Sequence, residues 1–109
     1  MKPLNMDLFD SNQVKIINQA INAGFNPEYY SNPDYDWFKM QQCFLAQKRN
    51  IDLSQYVKDF DGTRLSIIYD GLRMGLDVSE YANPEFGIAE MVHRRICLIQ
   101  AKLSAEKGV

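Results

Sequence analysis

His93 is the only histidine in a chain of 109 residues. General acid–base chemistry needs such a group beside an oriented partner. No serine, cysteine or acid stands at a recognisable motif spacing from it, so an exposed helix histidine is expected. Cys43 and Cys97 lie singly inside apolar stretches rather than as a CxxC pair. Two buried thiols in a reducing compartment are expected, with a disulfide or redox pair as the alternative. The chain has no HExxH, CxxC or EF-hand spacing, and its acids recur at intervals, which argues against a metal centre. Its glycines occur singly, so no phosphate-cradling loop is expected. These absences leave no catalytic set, cofactor or metal to assign, and a non-enzymatic binding protein is the expectation.

Three groups of residues suit binding. Asp10, Asp36 and Asp61 recur along the chain, beside Asp34, Asp59 and Glu85. Helix capping and a solvated edge explain them; the sharper alternative is an acidic ridge that competes for a basic groove as nucleic-acid phosphates would. Tyr29, Trp37 and Phe38 have no aromatic counterpart elsewhere in the chain and form a candidate partner-facing patch, against ordinary local packing. Arg94 and Arg95 are either a polar end to the structure or a contact for an acidic partner.

The elements that must hold these residues follow from a period of about 26 residues. Phe9, Tyr35, Phe60 and Phe86 are separated by 26, 25 and 26 positions. Fifteen residues after the first three stand Gly24, Asn50 and Gly75, and twenty-one after them Tyr30, Tyr56 and Tyr81. After each of those aromatics comes Asp10, Asp36 or Asp61, a good N-cap, with Gln13 completing a capping box in the first unit. Gly87 takes that place in the last unit, with Glu90 three residues on.

Apolar residues then recur at helical spacing: Val14, Ile17 and Ile21; Met40, Cys43 and Phe44; Leu65, Ile68 and Leu72. Ala20, Ala46, Gly71 and Cys97 form one column of small residues. Gly24, Asn50 and Gly75 suit a left-handed turn past a helix end. Asn26, Asp52 and Asp77 then cap a second helix of one or two turns, with proline first in "NPEY" and capping boxes in "DLSQ" and "DVSE".

A lone unit of this size cannot shelter its apolar face, so neighbours must stack. The fold expected is all-α: a short solenoid-like stack in a single domain, residues 1–109. Its units fall near 9–34, 35–59, 60–85 and 86–109, the last a capping helix, with long helices near 11–23, 37–49, 62–74 and 88–105. An open N-terminal end makes dimerisation through residues 1–23 the alternative to a monomer.

Net charge is −2, unevenly spread. Residues 1–87 carry 8 Lys/Arg against 12 Asp/Glu, and the last 22 carry 4 against 2. No basic patch of the size nucleic acid demands runs through the chain. No apolar run reaches about 18 residues, and "MKPLNMDLFD" lacks a signal-peptide core, so a soluble cytoplasmic protein is expected.

"GLRMGLDVSEYANPEF", residues 71–86, resembles short helical repeats of the type GL..GLDVS.YA.P.F in proteins of Gram-positive gut bacteria, their phages and integrative elements. The likeness covers residues 60–92 closely, 9–35 loosely and 35–59 weakly, where the proline is missing. The motif fixes a corner and carries no catalytic residue. It implies a mobile-element protein, whose length and acidity are similar to those of anti-CRISPR proteins that block the type II nuclease Cas9. Cas9 or another host defence nuclease is the partner this implies; a passive scaffolding module is the alternative.

Overall fold

The computed structural model describes residues 6–107, and every regular element among them is helical. Four α-helices follow one another: α1 (Ser11–Asn22), α2 (Trp37–Lys48), α3 (Gly62–Arg73) and α4 (Ile88–Lys107). Single 3₁₀ turns occupy Met6–Leu8, Glu28–Tyr30 and Val78–Glu80. No helix among the described residues is long and apolar enough to cross a membrane. The expected dimer surface begins at residues 1–5, which lie outside the described part.

The long helices start where their caps dictate. Asp10, Asp36 and Asp61 each accept a hydrogen bond from the backbone N–H three residues on, at 2.8, 2.7 and 2.9 Å. Gln13 reciprocates toward the Asp10 N–H, closing the capping box. The helices end through one repeated geometry. Gly24, Asn50 and Gly75 take φ of +85°, +60° and +76°. The following Phe25, Ile51 and Leu76 then donate back to Ala20, Ala46 and Gly71 at 2.9, 2.8 and 2.9 Å. This closure gives otherwise orphaned helix carbonyls their partners.

The connecting segments are shorter in helix than their sequence patterns imply. Asn26, Asp52 and Asp77 accept from Glu28, Ser54 and Ser79, two residues on rather than three. That is an Asx turn rather than a capping box, and it tightens the segments after Asn26 and Asp77 into one 3₁₀ turn each. Pro27 precedes the turn Glu28–Tyr30 instead of opening a helix, and residues 54–59 are successive turns.

Helix α1 packs on α2, α2 on α3, and α3 on α4. A helix of 12 residues is marginal alone, so this packing decides stability. Consecutive helices run the same way: the start of α3 at Gly62 meets Phe38 and Lys39 at the start of α2. Lys102, late in α4, reaches the Met74 carbonyl at the end of α3. The resulting body measures 54 × 28 × 19 Å.

Ile17, Ala20, Met40, Cys43, Ala46, Leu65, Ile68 and Met91 are fully buried, as are Tyr30 and Tyr81. Gly71 is needed for close approach, because a Cβ there would fall inside the Tyr81 hydroxyl and 2.7 Å from Val78 Cγ1. Two expectations about the core fail. Ile21 is 43% exposed. Cys97 is exposed although it shares the column of Ala20, Ala46 and Gly71. Helix α4 continues to Lys107, so no corner folds back to cover it.

Candidate functional site

Parallel packing sets the starts of α2 and α3, with their capping carboxylates, on one edge of the molecule. The exposed positive ends of helices favour negative charge there. A Cβ on Gly62 would lie 3.3 Å from Asp36 Oδ1, so that carboxylate sits against the residue following Asp61. Between them runs Lys39, 8% exposed, its ammonium 4.2 Å from the centre of the Tyr35 ring. Burial lowers the Lys39 pKa, and Asp36, Asp61 and Asp59 act against that shift. Asp36 and the start of α3 therefore share one edge, with Asp59 exposed two residues before Asp61, and Asp61 itself pairs with Arg64.

Asp34 and Glu85 are exposed, at corners one and three, where the Asn32 and Asn83 side chains accept from their N–H groups. No hydrogen bond or ion pair among the described residues joins either of them to the Lys39 group. Asp10 caps α1.

The three aromatics do not form one patch. Trp37 is 44% exposed at the start of α2 and meets the Phe38 ring edge to face at 5.9 Å. Phe38 is half-buried because it fills the space left by Gly62. Tyr29 sits near the opposite end of α2, among Phe25, Gln47 and Ile51, and packs edge-on to Tyr30 at 5.1 Å. Burial, then the adjacent Cys43 thiol, raises the Tyr29 pKa. The Cys43 thiol is itself pushed up to about 12 by burial.

Both arginines of α4 are tied inward. Arg94 bonds Glu90 at 2.7 Å and stacks 4.5 Å from the Phe86 ring centre. Arg95, half-buried, pairs with Asp70 of α3 at 3.2 Å. The helical register also brings Cys97 Sγ to 3.8 Å from His93 Nε2, an i, i+4 approach that a search for motif spacings passes over. The described residues contain no group of three or more His, Cys, Asp or Glu able to hold a metal ion.

Sequence reasoning also missed the polar side chains that join neighbouring segments, whose signal was their place in the period. Gln13, four residues after Phe9, donates to the Pro33 and Tyr35 carbonyls at 3.1 and 2.6 Å. Arg64, four after Phe60, donates to the Phe86 carbonyl at 3.3 Å. Gln47 accepts from the Tyr30 hydroxyl at 2.6 Å and donates to the Asn26 carbonyl at 2.9 Å. Comparison with protein-family models, curated proteins and solved structures finds no match to this chain.

Proposed function

We propose that the protein is a non-enzymatic binding module: a short solenoid-like stack of three helix–corner units closed by a capping helix. Its specific role in this proposal is to inhibit a host defence nuclease of the Cas9 type. The observation that supports it is the placing of Asp36 against the start of α3, which sets the capping carboxylates Asp36 and Asp61, with exposed Asp59, on one edge. Such an edge is complementary to a cationic nucleic-acid channel. The recurring corner supports the module: its hydrogen bonds repeat, while the exposed side chains upon it differ from unit to unit.

A Cas9 cleavage assay with the purified protein in excess tests the role, mixing the components in each order. Cleavage should fall, most when the protein meets the nuclease before the target DNA. Asp36 and Asp61 are caps, so reversing their charge would also unseat helices. Asp36→Asn and Asp61→Asn keep an acceptor at the cap; combined with Asp34→Lys and Asp59→Lys they should abolish inhibition with the fold retained. Cleavage unchanged in every order overturns the inhibitor and leaves a passive interaction module. Full inhibition by the four-site variant overturns the acidic edge.

A further inference from the structure

The acidic edge has a counterpart of opposite character along the flank of α1 and α2. Neither helix contains an Asp or Glu anywhere along its 12 residues. Between them lies an open cleft of about 570 Å³, whose polar lining includes Gln19, Gln41 and Lys48. Gln19 and Gln41 also line a smaller pocket of about 170 Å³ that reaches Asn12, Lys15 and Trp37 at the helix starts. The two form one groove about 18 Å long, the rise of twelve helical residues. A lysine stands toward each end and no carboxylate lines it, the capping Asp10 and Asp36 standing just before the helix starts.

The amides of this groove differ from those elsewhere. Gln13 and Gln47 are consumed by backbone and hydroxyl partners across the fold. Asn12, Gln19 and Gln41 make no side-chain hydrogen bond to another described residue, nor does Lys15, and the Lys48 ammonium only faces the Phe44 ring at 5.4 Å. A free side-chain amide offers the donor and acceptor that a peptide bond needs in return. Trp37 adds a flat, half-exposed surface of the kind that anchors partner side chains.

We propose that this groove binds an extended acidic peptide segment of a partner protein. The segment's backbone lies on Asn12, Gln19 and Gln41, its carboxylates meet Lys15 and Lys48, and an apolar side chain rests on Trp37. At about 3.3 Å per residue the groove holds about five residues. Two lysines are too few to neutralise a strand with a phosphate at every residue, which separates this occupant from nucleic acid.

Trp37 is the only tryptophan, so its emission reports on the groove without labelling. The test titrates the full chain with three probes at about 0.1 M salt: a capped peptide of about eight residues alternating Glu and Leu, its Lys–Leu counterpart, and oligothymidylate of equal length. The Glu–Leu peptide should shift the emission saturably, with Kd on the order of 100 μM. Lys15→Glu with Lys48→Glu should weaken it at least about tenfold and confer binding of the Lys–Leu peptide. Gln19→Ala with Gln41→Ala should weaken it about tenfold with an unchanged thermal midpoint. No saturable shift up to about 1 mM, equal binding of the Lys–Leu peptide, or tighter binding of oligothymidylate each overturns the proposal. It rests on the chain being a protein-binding module, yet the two fail separately. Nuclease inhibition without peptide binding overturns the groove alone, and peptide binding without inhibition overturns the inhibitor alone.

Discussion

Helices α1 and α2 at one end of the molecule and α3 and α4 at the other are joined by different chemistry. The first pair is held by neutral amides: Gln13 reaches two carbonyls of the next segment, and Gln47 clamps Tyr30 and Asn26. The second is bridged by charged side chains. Arg95 pairs with Asp70 across α3 and α4, Arg64 reaches the Phe86 carbonyl and Lys102 the Met74 carbonyl. The other three ion pairs are local, between residues three or four apart. The same position of the period carries Gln13 in one and Arg64 in the other, and both donate to the carbonyl of the next aromatic. An amide completes that task without needing a counter-charge; a guanidinium brings Asp61 with it. The first pair therefore keeps a flank free of carboxylates, while the second spends its charges on itself. The same backbone carbonyl bond is thus made by a neutral amide at one end and a guanidinium at the other, because the carbonyl needs a donor and not a particular charge.

The largest test of this contrast lies in the small-residue column. Gly71→Ala should cost about 3 kcal/mol, since the new methyl meets the buried Tyr81 hydroxyl and Val78, which cannot withdraw. Ala46→Gly, at the same position in α2, should cost only about 1 kcal/mol, the helix penalty of glycine. Denaturant unfolding measures both. Equal costs would show that the corner of the α3 segment packs no more tightly than that of α2.

Next come the bridging donors. Gln13→Ala should destabilise by about 2 kcal/mol, because it removes a reciprocal cap bond and strips two carbonyls of a partner. Arg64→Ala should cost about 1 kcal/mol, its pair with Asp61 being partly exposed. Only the second loss should shrink between about 0.1 and 1 M salt. A salt-dependent Gln13→Ala would erase the distinction between the two ends.

A further pair of tests concerns the two thiols and alkaline pH. Ellman's reagent should titrate Cys97 in the native protein and reach Cys43 only on unfolding, because Cys97 is exposed and the Cys43 thiol is buried. Burial pushes the Tyr81 hydroxyl and the Cys43 thiol each up to about 12. The unfolded chain releases these protons first, near the ordinary values of 10.0 and 9.0. The folded state thus holds more protons between those values and about 12, and stability must fall as pH rises through that window. Stability that stays flat from about pH 9 to 12 would contradict the burial of both groups.

Much of the frame was legible because it is made of short-range bonds. Asp61 caps a helix expected over 62–74 and found over Gly62–Arg73, through a contact spanning three residues. Asn50 accepts a left-handed φ that glycine takes at the other two corners, as its residue type allows. The connecting turns were less legible. Asp77 can serve Ser79 or the residue after it, and in the fold it accepts from Ser79 in the tighter Asx turn.

The candidate surfaces were legible only in composition. The aromatics Tyr29, Trp37 and Phe38 are near in sequence, yet α2 sends Tyr29 to one end and Trp37 to the other, with Phe38 turned onto Gly62. Arg95 looked like a polar terminus until α4 packed against α3 and found Asp70, 25 residues away. The amide groove was likewise invisible, because side chains spaced along two helices become one lining only when those helices run parallel.

The order of residues thus determined by itself where α1, α2 and α3 begin and how they stop, since each of those choices is settled within a few residues of chain. Direction, neighbour and exposure were decided by the tertiary structure. They depend on contacts between segments more than twenty residues apart, and local hydrogen bonds are equally content in any such arrangement.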